Sequence, residues 1–152
     1  MSEPLYLEDV FVGQRFVTHP HRVTAEEIKA FARNYDPQPF HLDELAAKES
    51  FFGTLVGSGW HTAALSMRLQ VEGGPKIAGG MVGTGGQLAW PQPLKPGDEI
   101  RVESEVLEVT PSRSRPERGV IVLRSETKNQ KDEVVQLFTV KLLVWRRPQY
   151  GF

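Results

Sequence analysis

The chain contains no cysteine. Disulfides, thiolate nucleophiles and cysteine-bound zinc are therefore all excluded, and the composition fits a reducing compartment. It also lacks any apolar run near the ~20 residues that a membrane span requires. The opening MSEPLYLEDV carries acids where a secretory leader has a basic and then apolar stretch, so the expected location is cytoplasmic. Charge of one sign is missing as well. Lys and Arg number 18 against 19 Asp and Glu, a net −1 at pH 7, which gives no electrostatic case for binding nucleic acid. Repeats, low-complexity tracts and long linkers are absent too. What is there is 39% hydrophobic and 24% charged, the balance of a soluble globular chain. Residues 1–152 are read as a single domain, long enough for a true core.

The first third reads as helical. Thr24 and Glu27 have the spacing of a capping box, and Ile28, Phe31 and Ala32 recur with helical period, so a helix is predicted from about Ala25 to Asn34. Pro37 and Pro39 forbid a regular helix through Asp36 to Phe40. A second short helix is predicted from Leu42 to about Glu49. A third runs from Trp60 to about Val71, and its Ala63, Ala64, Leu65, Met67 and Leu69 are apolar on more than one side, as in a buried helix.

The second half changes character. Met81–Trp90, Glu99–Val109, Val120–Lys128 and Val134–Trp145 read as strands separated by turn residues. Connections this short join antiparallel neighbours. The last run is apolar on both faces, which predicts cover on both sides by a helix and by a partner subunit. The glycines of GGMVGTGG lack the lysine spacing of a phosphate loop and precede no helix, so they mark a bulge or a close backbone approach. The sum is an α+β domain in which an antiparallel sheet curves around a buried helix.

Chemistry concentrates in Tyr35-Asp36-Pro37-Gln38-Pro39-Phe40-His41. On a continuous helix Asp36 and His41 would diverge by about 140° around the axis. The two prolines impose a turn that can instead bring carboxylate and imidazole to one point, where such a pair polarises water. An Asp before Pro is also a common turn former, and a His after Phe is often simply packed. The residues alone leave both readings open.

The run FARNYDPQPFHLDELAA followed by LVGSGWHTAAL resembles the hydratase motif of the MaoC-like dehydratases, the (R)-specific enoyl-CoA hydratases. EDVFVGQRF and PLKPGDEIRVESEV resemble the elements that flank it, so the likeness spans roughly Tyr6 to Trp145. The resemblance implies a hotdog fold, an antiparallel sheet wrapped around one long central helix, and a homodimer or higher homo-oligomer. It implies that Asp36 and His41 are the catalytic dyad that adds water to a trans-2-enoyl-CoA, and that Gly59 offers its backbone N–H to the thioester oxygen. Which member of the dyad takes the proton from water stays open. No cofactor is implied beyond the CoA carried by the substrate.

Around that dyad Gln38, Phe40, Ser58 and Trp60 are candidate substrate contacts. Arg113 and Arg115, in the loop SRSRPERG, are candidate contacts for the CoA phosphates, against the plainer reading of a solvated hairpin loop. Two departures from the family pattern stand out. Gln38 occupies the place of the usual Asn, and Met67, with Ser66 beside it, aligns with a helix Ser that supports the Asp in some hydratases. His61 is expected to pack within its helix, and His19 and His21 to lie on the surface, so no metal site is expected. Two alternatives share the fold: an acyl-CoA thioesterase, and a non-catalytic acyl-thioester-binding protein.

Overall fold

The computed structural model describes residues 3–148; the remainder of the expected 1–152 domain lies outside the described residues. After a 3-10 turn at Leu7–Asp9 come two short strands, β1 (Arg15–Val17) and β2 (His21–Arg22). Four helices follow: α1 (Ala25–Tyr35), α2 (Pro39–Leu42), α3 (Glu44–Lys48) and α4 (Gly59–Gly73). The chain ends in four long strands, β3 (Val82–Ala89), β4 (Glu99–Pro111), β5 (Arg118–Lys128) and β6 (Val134–Trp145). They form one antiparallel sheet in the order β1-β4-β5-β6-β3, with β2 also on β4. This is the expected α+β hotdog arrangement, with α4 as the central helix.

Local chemistry explains the boundaries. Thr24 caps α1 as predicted: its hydroxyl accepts the Glu27 N–H at 3.2 Å while the Glu27 carboxylate takes the Thr24 N–H at 2.8 Å. The single helix expected over Leu42 to Glu49 is instead two. Pro39 opens α2 at its first position, where a missing N–H is harmless, and extended backbone at Asp43 breaks the run. Asp43 then caps α3 through the Ala46 N–H at 3.2 Å. β1 and β2 were not anticipated, because runs of three and two residues carry no readable alternation.

The core forms two clusters on one face of the sheet. Val23, Ile28, Leu65, Leu69, Ile100, Val102 and Val135 pack α1 and α4 against β4 and β6. Leu7, Val10, Ile77, Val106, Ile121, Leu123 and Leu142 fill the opposite end. Inward positions of β5 alternate without a break from Gly119 to Thr127. The glycines behave as expected, with a bulge between Gly83 and Gly85. A Cβ at Gly86 would run into the Thr139 carbonyl.

One burial expectation is corrected, that of α4, and the partner cover expected for β6 lies outside a single chain. Within the chain α4 is covered along one stripe, His61, Thr62, Leu65, Ser66, Leu69 and Gln70, while Trp60, Met67 and Val71 are exposed. β6 is likewise covered on one face, and Trp145 on the other stands in solvent. A single copy has only one helical layer to lay on its sheet.

Candidate active site

Asp36 sits where α1 ends. Its N–H still bonds the Ala32 carbonyl at 2.9 Å, but its backbone has left the helix, and Pro37 and Pro39 turn the chain back. The turn carries His41 on α2 to within 3.3 Å of the carboxylate, measured from Nε2 to Asp36 Oδ2. The two side chains converge, one of the two readings that the proline turn left open.

His41 is buried, and its Nδ1 lies 2.6 Å from the Val56 carbonyl oxygen. A carbonyl can only accept, so Nδ1 carries a proton. In the neutral ring Nε2 therefore presents its lone pair to Asp36. Phe40 stands edge-on to the imidazole with centroids 4.6 Å apart and Phe52 behind it, which fixes the ring plane.

Asp36 is held from two sides. Gln38 Nε2 donates to Oδ1 at 2.6 Å, and the Ser58 hydroxyl donates to Oδ2 at 2.6 Å. Partial burial raises its pKa and is the largest single influence. The hydrogen bonds from Ser58 and Gln38, joined by attraction to His41 when its ring is protonated, outweigh it and hold the carboxyl below its ordinary value. The group is an anion at neutral pH.

Ser58 also caps α4. Its Oγ accepts the Trp60 N–H at 3.2 Å. Gly59 is the first residue of the helix, and its own N–H has no hydrogen bond within the described residues. The Trp90 indole lies flat over it: a Cβ at Gly59 would sit 2.6 Å from the ring. Trp90 is anchored by its Nε1 bond to Gln136 at 3.0 Å, and Trp60, 60% exposed, crosses it edge-on at 5.2 Å.

The candidate residues thus divide. Asp36, His41, Gln38, Phe40, Ser58 and Gly59 come together, with Trp60 at the rim. Ser58 stands differently from a substrate contact, since it is wholly buried beneath Asp36. Arg113 and Arg115 are not brought to the dyad of their own chain. Thr127 of β5 touches Ser66 of α4, and the nine residues from there back to Arg118 span about 30 Å. The arginine loop therefore lies at the far end of the β4–β5 hairpin.

His61 packs as expected, stacked on Phe31 with centroids 4.9 Å apart, and burial is the main cause of its lowered pKa. His19 and His21 face Glu72 and Glu27. Among the described residues no group of three His, Asp or Glu is placed to hold a metal ion, and no helix is long and apolar enough to cross a membrane. Sequence reasoning missed the Val56 carbonyl, a backbone group that residue type does not reveal, and the Trp90–Gln136 pair, which lies far from the motif in the chain. The support that Ser58 gives Asp36 had one available signal, a serine directly before a glycine-led helix.

Comparison with known proteins identifies the family. Residues 10–129 match the family described as MaoC like domain, and the chain belongs to that family. The crystal structure of a MaoC-like dehydratase from Rhodospirillum rubrum superimposes with a TM-score of 0.93 at 56% identity, covering 95% of this chain and 99% of that one. Among curated relatives, the uncharacterized protein YdeM of Bacillus subtilis is 33% identical over 142 residues, 91% of this chain and 96% of its own. A 3-hydroxybutyryl-CoA dehydratase of Methylorubrum extorquens is 32% identical over 113 residues, 73% of this chain and 69% of its own.

Proposed function

We propose that the protein is a hydro-lyase interconverting a trans-2-enoyl-CoA and an (R)-3-hydroxyacyl-CoA. The observation that carries this reading is the 3.3 Å approach of His41 Nε2 to Asp36 Oδ2 with the Nδ1 proton committed to Val56. In the neutral ring two acceptors face one another, an arrangement that suits a shared donor with two protons, which is water. The imidazole takes one proton as the water oxygen bonds to C3 of the enoyl thioester. Asp36 remains ionised and stabilises the imidazolium. Electron density moves from the C2–C3 double bond to the thioester oxygen, where the Gly59 N–H at the positive end of α4 meets it. The imidazolium then returns its proton to C2. Reversal of the same steps expels water from the hydroxy ester. The Methylorubrum relative, a 3-hydroxybutyryl-CoA dehydratase, supports this reaction class, and the (R) configuration follows from the family resemblance.

The same reading includes a homodimer. β3 closes the sheet as an edge strand, and α4 beside it exposes Trp60, Met67 and Val71. A second copy supplies cover for both.

The test follows the enoyl-thioester absorbance with crotonyl-CoA and a panel of longer and branched enoyl-CoAs, with a thiol reagent in parallel. Loss of the band without thiol release is expected. Asp36→Asn and His41→Ala should each lower turnover at least ~10²-fold with folding intact. Wild-type rates in either variant overturn the dyad, and release of free CoA moves the protein to the thioesterases.

A further inference from the structure

We infer that Ser58 is a positioning residue for the dyad: its hydroxyl fastens the Asp36 carboxylate to the N-terminus of α4, so that the water-activating pair and the Gly59 N–H are held as one unit. The kinetic part of this inference rests on the hydratase reading, and the structural part does not.

The hydrogen-bond count leaves little freedom. A serine hydroxyl has one proton and two lone pairs. The Trp60 N–H can only donate, so at 3.2 Å it occupies a lone pair of Oγ. An ionised carboxylate can only accept, so the single hydroxyl proton points at Asp36 Oδ2, 2.6 Å away. Ser58 is wholly buried, and no solvent competes for that proton. Asp36 belongs to the end of α1 and Ser58 to the start of α4, so this one hydroxyl bridges two elements that are 22 residues apart.

Other groups do not duplicate the role. Gln38 holds Oδ1 from an exposed turn, where water competes for the same oxygen. Ser66, the other buried serine hydroxyl on α4, is committed elsewhere, 2.6 Å from Thr127 Oγ1 on β5. The His41 approach uses the oxygen that Ser58 already holds. With Ser58 in place, Oδ2 has one direction occupied by the hydroxyl and another facing Nε2. Without it, the carboxylate can rotate about its own axis, and the acceptor pair loses its shared focus.

The variants Ser58→Gly and Ser58→Thr test this in the full-length protein. Glycine caps a helix nearly as well as serine, so α4 stays formed while the proton donor is lost. Threonine keeps both functions. The first readout is the titration of the Asp36 carboxyl carbon by NMR, assigned by its disappearance in Asp36→Asn. The second is kcat and KM for hydration across pH.

In Ser58→Gly the carboxyl should titrate at higher pH than in the wild type. kcat should fall about 10-fold or more, the loss of a hydrogen bond to a charged group, with KM nearly unchanged. Ser58→Thr should restore both readouts. An Asp36 titration that does not move in Ser58→Gly overturns the inference, whatever the activity, and leaves the hydratase reading untouched. A moved titration in a protein that hydrates none of the enoyl-CoAs upholds the tether and overturns the reaction.

Discussion

Gly59→Ala is the substitution for which the structure gives the sharpest expectation. The backbone of Gly59 is not in the left-handed region, so alanine meets no torsional barrier there. Removing glycine even favours folding, by about 0.4–1 kcal/mol through the unfolded chain. The obstacle is packing. The new methyl would lie 2.6, 2.6 and 2.8 Å from three carbons of the Trp90 indole, about an ångström too close to each. The indole is part of the surface and can swing away, but only by giving up its bond to Gln136 and its edge contact with Trp60. Gln136 is buried, so its carbonyl is left without that partner. The unpaired group costs about 1–3 kcal/mol, and the aromatic contact adds about 0.5–1.5 kcal/mol. Set against the glycine term, the net expectation is about 0.5–4 kcal/mol of destabilisation by urea unfolding. In a Trp90→Ala background the methyl has room, and the same change should be neutral or stabilising by up to about 1 kcal/mol. A double-mutant cycle measures the difference directly. Equal effects in the two backgrounds would falsify the account, because they would show that Trp90 is not what makes glycine necessary at the start of α4.

The remaining predictions concern pH and assembly. His61 has a pKa below 6.5 in the fold, chiefly because burial disfavours its charged form, with Glu27 opposing and His21 reinforcing the effect. Its neutral form is what packs on Phe31, so this stability is complete above pH 6.5 and is lost as pH falls through the lower folded value. Tm measured from pH 7.5 down to 5 should decline, and His61→Gln should flatten that decline; an unchanged slope in the variant removes His61 as its cause. For assembly, light scattering should return at least twice the 17.1 kDa of one chain. A charge at Met67, on the exposed side of α4, should lower that mass, and a monomeric wild-type protein would contradict the proposed second copy.

Much of the architecture was legible because it depends on short-range periodicity. The Thr24–Glu27 box, the alternation of the long strands and the turn residues between them determine the elements almost to their ends. The last strand was placed at Val134–Trp145 and found there. Short elements escaped for a physical reason: β1 and β2 exist only because β4 offers them hydrogen bonds, which no local pattern records. The break at Asp43 belongs to the same class, since a helix of four residues and one of five have too few turns for periodicity to separate them.

The site shows the same division. The sequence by itself determined that a carboxylate and an imidazole stand on either side of a proline turn, and that a glycine follows a serine at the start of the longest helix. Those are properties of neighbouring residues, and backbone sterics enforce them locally. Only the tertiary structure decided that the Val56 carbonyl fixes the imidazole tautomer, that Ser58 reaches Asp36, that Trp90 lies on Gly59, and that the arginine loop is a strand's length away from its own dyad. Each of these is a contact between segments distant in the chain. Hydrogen-bond partners of that kind are chosen by packing in three dimensions, which residue spacing along the chain does not encode.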